Sequence, residues 1–161
     1  MRDFIGRNVY LERLNALWKT RKTKAIAVYG RRRVGKTALI QKFATGKVAY
    51  LFEAIEAENT ETQVGHFLDQ LARRVGQPHL RDLSYKDWPP VFDLLTRFLQ
   101  DQKEAVLFFD ELPWMAAGRS KLVSTLKYYW DKYWKNHPHL VLILCGSVAS
   151  WMVKNVVRSK A

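Results

Sequence analysis

Three observations predict an α/β fold built on a parallel sheet. Short continuous apolar runs recur along the chain: AIAVY (25–29), VAYLF (48–52), AVLFF (105–109) and LVLILC (140–145). Runs of this kind suit strands buried on both faces, as the strands of a parallel sheet are. Amphipathic segments long enough for crossover helices separate them. Finally, the chemically distinctive residues gather where the apolar runs end, which is where ligands bind in such sheets.

The chain has 161 residues and fits one domain, large enough to bury about two thirds of its unfolded surface. Lys and Arg number 27 against 15 Asp and Glu, a formal charge of +12. That balance favours polyanionic partners, although a solvated basic face would read the same way. Six tryptophans and a hydrophobic fraction of 48% argue against disorder. The start, MRDFIGRNVY, lacks the apolar core of a secretory signal, and no apolar run approaches membrane-spanning length. The expected location is cytoplasmic, with no membrane partner.

Along the chain, residues 9–18 place Val9, Leu11, Leu14, Leu17 and Trp18 at roughly helical spacing, ahead of the basic connector KTRKTK (19–24). After the first strand, TALIQKF (37–43) opens a helix with Leu39, Ile40 and Phe43 on one side. Residues 60–75 form the clearest amphipathic helix, with Val64, Phe67, Leu68, Leu71 and Val75 on one face. Thr60 and Gln63 have the spacing of a capping box, and Gly76 and Pro78 end the helix. Another helix begins near Asp87, with Pro89 and Pro90 in its first turn and Phe92, Leu95, Phe98 and Leu99 facing inward.

An aromatic-rich helix is expected over 119–135. Its aromatic series invites base stacking, but Tyr129, Trp130 and Tyr133 fall beside Leu122 and Leu126, which favours core packing. Tyr128 and Trp134 are left for an exposed interaction surface. Residues 148–158 read as a final helix. The chain has no repeat, low-complexity tract or long linker.

The stretch GRRRVGKT (30–37) matches the frame Gly-x4-Gly-Lys-Thr, in which backbone amides cradle nucleotide phosphates. At average composition a chance match in a chain of this length is a roughly one per cent event, and a strand precedes it while a helix follows. Gly30 turns the chain sharply and Gly35 admits backbone close to the phosphates. The amides of Lys36–Ala38 point at the anion from a helix N-terminus. Lys36 bridges the β- and γ-phosphates, and Thr37 ligates magnesium. The predicted nucleotide-binding stretch is therefore Gly30, Arg31, Arg32, Arg33, Val34, Gly35, Lys36, Thr37 and Ala38. Arg32 or Arg33 is expected to face outward, towards a lid, a neighbour or nucleic acid.

Asp110 closes the apolar stretch VLFF and could hold magnesium directly or through water. Glu111 follows as the group to orient or deprotonate an attacking water. The bland alternative for both is a polar strand end capping a turn. Ser147, just past the fourth strand, either senses the γ-phosphate or positions the water, or else caps the last helix.

Other chemistries find less support. CGSVAS lacks the second glycine of a nucleophile elbow. His137 and His139 flank Pro138 without further ligands for a metal, which suggests a surface loop. Cys145, the single cysteine, excludes an intrachain disulfide and sits in an apolar run that implies a buried, inert thiol.

Four blocks together resemble the prokaryotic AAA-type ATPases of the archaeal ATPase family, close to the STAND nucleotide switches. They are FIGR (4–7) with LERL (11–14), GRRRVGKTALIQKF (30–43), VLFFDELPWM (106–115) and LILCGSVASWM (142–152). The resemblance implies a three-layer P-loop NTPase core of the ASCE type, ATP and Mg2+ as ligands, and an N-terminal element lying over the base. It divides residues 1–161 into that element (1–20) and a nucleotide-binding core (25–158). Asn8, Val9 and Tyr10 stand where the family carries acidic residues after Gly-Arg. The resemblance further implies a fifth strand, a helical lid and a C-terminal domain, often nuclease-like or DNA-binding, so the chain reads as the N-terminal part of a longer protein. A DNA or protein partner would act through that domain, and a homo-oligomer stays open.

The expected activity is Mg-dependent ATP hydrolysis. The alternative is a nucleotide-gated switch or DNA-associated regulator with little hydrolysis; a basic interaction module with a vestigial loop is the third option.

Overall fold

The computed structural model describes residues 2–30, 35–118 and 120–157, and the side chains of residues 2–8 are outside that set. The strands are β1 (Lys24–Tyr29), β2 (Ala49–Glu53), β3 (Ala105–Asp110) and β4 (Leu140–Gly146). The helices are α1 (Arg2–Lys19), α2 (Lys36–Ala44), α3 (Thr60–Val75), α4 (Pro89–Gln100), the single turn α5 (Leu112–Met115), α6 (Leu122–Lys132) and α7 (Ala149–Met152). All strand pairs are parallel, in the order β1-β4-β3-β2. Every carboxyl end therefore faces the same way, and each helix between strands returns the chain to the opposite end.

Alternation along β3 and β4 produces two cores. Ala105, Leu107 and Phe109 with Leu140, Leu142 and Leu144 turn towards α3, α4 and α6. Val106 and Phe108 with Val141, Ile143 and Cys145 turn towards Leu14 of α1 and Leu39, Ile40 and Phe43 of α2. The result is the three-layer α/β architecture that the apolar runs predict.

Several local expectations are corrected. Asn59, not Thr60, caps α3: its side chain accepts from the Thr62 amide at 2.8 Å. Gln63 is drawn elsewhere, exchanging hydrogen bonds with both backbone groups of Ile55 and donating to the Trp114 carbonyl. The predicted helix over 119–135 is shorter, because Gly118 (φ 78°) precedes it and the backbone leaves helical geometry at Tyr133. Trp134 is buried rather than exposed, its indole N–H donating to Thr96 Oγ1 at 2.9 Å. Tyr128 does stand exposed, and Tyr129 is buried with its hydroxyl bonded to Asp93.

His139 is likewise buried, its ring 4.0 Å from that of Trp18 (centroid to centroid), while half-buried His137 meets the Leu99 carbonyl at 2.9 Å. Both lie in the connection from Asn136 to β4, as expected, but the His139 side chain turns inward rather than to the surface. Burial pushes the His139 pKa down. At this end of the sheet the Thr23 hydroxyl donates to the His137 carbonyl and accepts from the Leu140 amide, lacing β1 to β4.

Candidate nucleotide site

The site is built where β1, β3 and β4 end. Gly30 leaves β1, and Gly35 stands immediately before α2 at φ 82°, a conformation that glycine adopts without steric penalty. Its carbonyl accepts from Leu39 and starts the helix. Lys36, Thr37 and Ala38 occupy the first turn, where backbone amides lack helical partners. The Lys36 ammonium reaches back to the Gly30 carbonyl at 3.1 Å, across the mouth of the loop. Arg31, Arg32, Arg33 and Val34 lie outside the described residues.

The second half comes from β3. Asp110 is its last residue, and Thr37 Oγ1 donates to Asp110 Oδ2 at 2.6 Å, joining the start of α2 to the end of β3. Glu111 follows in the left-handed region (φ 56°, ψ 53°), a conformation that costs a non-glycine residue about 1 kcal/mol or more. This bend turns the chain from β3 into α5, with Pro113 in its first turn.

Ser147 secures the bent residue. Its backbone N–H donates to Glu111 Oε1 and its hydroxyl to Oε2, each at 2.7 Å. Both carboxylate oxygens are thereby held at the end of β4. Val148, not Ser147, is the residue before α7, and no side chain caps that helix. Beside the clasp, Gly146 is a point of close approach: a Cβ there would lie 2.8 Å from both Met152 Sδ and Pro113 Cδ. Cys145, directly before it, is fully buried, and burial with the nearby Asp110 carboxylate pushes its thiol up to about 12.

The structure thus brings together Lys36, Thr37, Asp110, Glu111 and Ser147. The direct contact of Ser147 with Glu111 has no signature in sequence spacing. Gln63, whose spacing suits a capping box, has a different role: by bonding Ile55 and Trp114 it ties the segment after β2 to α5. A polar residue on an otherwise apolar helix face was the only available signal.

Comparison with known proteins agrees with this architecture. The chain is 28% identical over 158 residues to an uncharacterized protein of Methanocaldococcus jannaschii, a match covering 98% of the chain and 33% of that protein. The chain thus spans about a third of this curated relative's length. An uncharacterized ATP-binding protein of the same organism is 50% identical over 44 residues, covering 27% of this chain and 75% of that protein.

Among solved structures, a Walker-type ATPase of Pyrococcus abyssi superposes with TM-score 0.66 at 18% identity, covering 94% of this chain and 48% of that one. The ORC2 protein of Aeropyrum pernix, solved as ADPNP–ADP complexes, gives 0.57 at 17% identity, covering 94% and 44%. At such identities the structural likeness establishes the P-loop ATPase fold. Residues 4–161 match an ATPase domain found predominantly in Archaea, and the chain belongs to that ATPase family.

Proposed function

We propose that residues 1–161 form the ATP-binding domain of a Mg-dependent ATPase. The observation that carries the proposal is the 2.6 Å contact between Thr37 Oγ1 and Asp110 Oδ2, which unites the phosphate loop with the acidic strand end. A hydroxyl and a carboxylate oxygen held side by side are the kind of oxygen ligands that suit a hard divalent cation. Among the described residues no cluster of three or more His, Cys, Asp or Glu could hold a metal alone. That suits magnesium, which keeps few protein ligands beside phosphate and water.

Thr37 and Asp110 are the residues that would hold the ion. Magnesium held there would supply charge neutralisation to the nucleotide phosphates. Lys36 and the first-turn amides of α2 bind and orient the phosphates. Glu111 orients the attacking water or accepts its proton, and Ser147 fixes the direction in which that carboxylate points.

Two substitutions test this. Lys36→Ala should lose ATP binding in a calorimetric titration. Glu111→Gln should bind ATP-Mg normally while turnover falls by about 10²–10⁴-fold. Normal hydrolysis by Glu111→Gln would remove Glu111 from its assigned role.

The clasp on Glu111 also supports a second reading, a nucleotide-gated switch with little hydrolysis, because the carboxylate is already engaged at both oxygens. Ser147→Ala separates the two. Faster turnover would identify the clasp as a restraint and favour the switch; slower turnover would identify it as a positioning contact and favour the ATPase.

A further inference from the structure

The end of the sheet opposite the nucleotide site carries a concentration of cations that ATP binding does not use. Three segments entering strands contribute to it. Lys19 at the end of α1 and Arg21 and Lys22 in the α1–β1 connection are all exposed, with Lys24 half-buried at the start of β1. The α4–β3 connection adds exposed Lys103, and the α6–β4 connection adds exposed Lys135. These segments are held beside one another by the Thr23 bonds to His137 and Leu140, the Ala105 amide bond to the His139 carbonyl, and the Arg21–Glu104 pair.

Little acid offsets them. Glu104 lies 3.6 Å from an Arg21 side chain that remains 69% exposed, and Asp131 lies 3.8 Å from Lys135. Ion pairs this exposed bind their cations weakly. Asp101 is the other acid in these connections. By contrast, Glu53, Glu56, Glu58, Asp110 and Glu111 lie at or just beyond the carboxyl ends of β2 and β3.

The chemistry of this face selects among polyanions. A protein partner is normally anchored by an apolar or aromatic side chain at the centre of the interface. Among the described residues the exposed large hydrophobics are Val9, Tyr10, Tyr29, Tyr128, Val148 and Val157, and none of these lies in the three connections. Single-stranded nucleic acid needs stacking platforms, yet the rings at this end are engaged: Trp18 packs on His139, Trp134 is buried, and half-buried Tyr133 lies against Tyr129 and Lys132. A duplex phosphate backbone needs only cations and polar donors. A cleft of about 300 Å³ opens beside Lys135, and its lining sets Gln100, Lys132, Asn136 and His137, which offer such donors, beside Tyr133 and Trp134.

We infer that the amino-end face of the sheet, centred on Lys19, Arg21, Lys22 and Lys24, binds the backbone of double-stranded nucleic acid without reading its sequence. This places a polyanion on the core itself, at the end remote from the phosphate loop, and it does not depend on ATP hydrolysis.

The test is binding of the 161-residue chain to a labelled mixed-sequence DNA duplex across a salt series. Binding should weaken steeply with salt. The combined variant Lys19→Gln, Arg21→Asn, Lys22→Gln, Lys24→Gln should reduce the slope of log K against log salt by about 3 to 4, at roughly 0.9 per phosphate contact. Asparagine is chosen at position 21 because that residue has φ 57°. Lys103→Gln with Lys135→Gln should give a smaller reduction and remains informative if the quadruple variant fails to fold. Lys86→Gln with Lys121→Gln, at the opposite end, should change nothing. ATP binding measured on the same samples reports separately on the nucleotide site. Absence of duplex binding at low salt, an unchanged slope in both face variants, or preferential binding of polyglutamate over the duplex would each overturn the inference.

Discussion

On one face of the sheet, Phe52, Phe67, Trp88, Phe92, Phe109 and Trp134 make a continuous aromatic core under α3, α4 and α6. On the other, Leu14, Leu39, Ile40 and Phe43 cover the strands from α1 and α2 alone. The site is assembled from both sides. Lys36 and Thr37 ride on α2, above the smaller core, whereas Asp110 ends β3 and Glu111 follows it, and β3 places Leu107 and Phe109 in the larger core as well as Val106 and Phe108 in the smaller. Regions with fewer buried contacts open more readily. The proposed phosphate-binding half rests on the smaller core, and the acidic half is tied also into the larger one.

Matched truncations probe this contrast most strongly. Phe92→Ala and Phe43→Ala each remove a fully buried ring, and each should cost about 3–5 kcal/mol in denaturant unfolding, with Phe92 at the upper end. Their effects on function should diverge. Folded Phe92→Ala should keep wild-type ATP affinity, while Phe43→Ala should weaken it, because α2 loses its anchor. Equal affinities in the two variants would break the comparison.

Gly146→Ala should have an intermediate effect. Its new Cβ meets Met152 and Pro113, so crowding should destabilise the fold by about 1–3 kcal/mol. Since Pro113 stands two residues after Glu111, turnover should fall more than ATP affinity does. A variant with unchanged turnover would show that the Glu111 bend does not depend on this packing.

The smallest effect concerns His139. Its folded pKa is depressed by burial, with Glu104, Arg21 and His137 as the charged or titratable neighbours acting on it. The unfolded chain then binds the proton first as pH falls through about 6.5, so acidification below that point destabilises the fold. The slope from this residue cannot exceed about 1.4 kcal/mol per pH unit. In His139→Leu, urea midpoints measured between neutral and mildly acidic pH should vary less than in the wild type.

The strands were legible because each is a continuous apolar run, and the phosphate loop because glycine, lysine and threonine stand at fixed offsets. Asp110 was legible as the polar end of VLFF. Contacts between distant segments were not. Trp134 looked outward on a helical projection, but the helix ends at Tyr133 and the indole finds Thr96 on α4. Gln63 fitted a capping box by spacing, yet Ile55 and Trp114 compete for its amide. Ser147 fitted either a ligand-sensing or a capping role, and only the left-handed turn of Glu111 brings that carboxylate to it.

The lone thiol has a practical consequence. Cys145 lies on the central strand β4, one residue before the glycine that abuts the clasp, and neither its burial nor its pKa of about 12 permits reaction from the closed fold. With no second cysteine in the chain, the rate at which a thiol reagent labels the protein becomes a clock for the opening of that strand. Timing it with and without nucleotide would report how tightly ligand closes the centre of the domain, with no label engineered in.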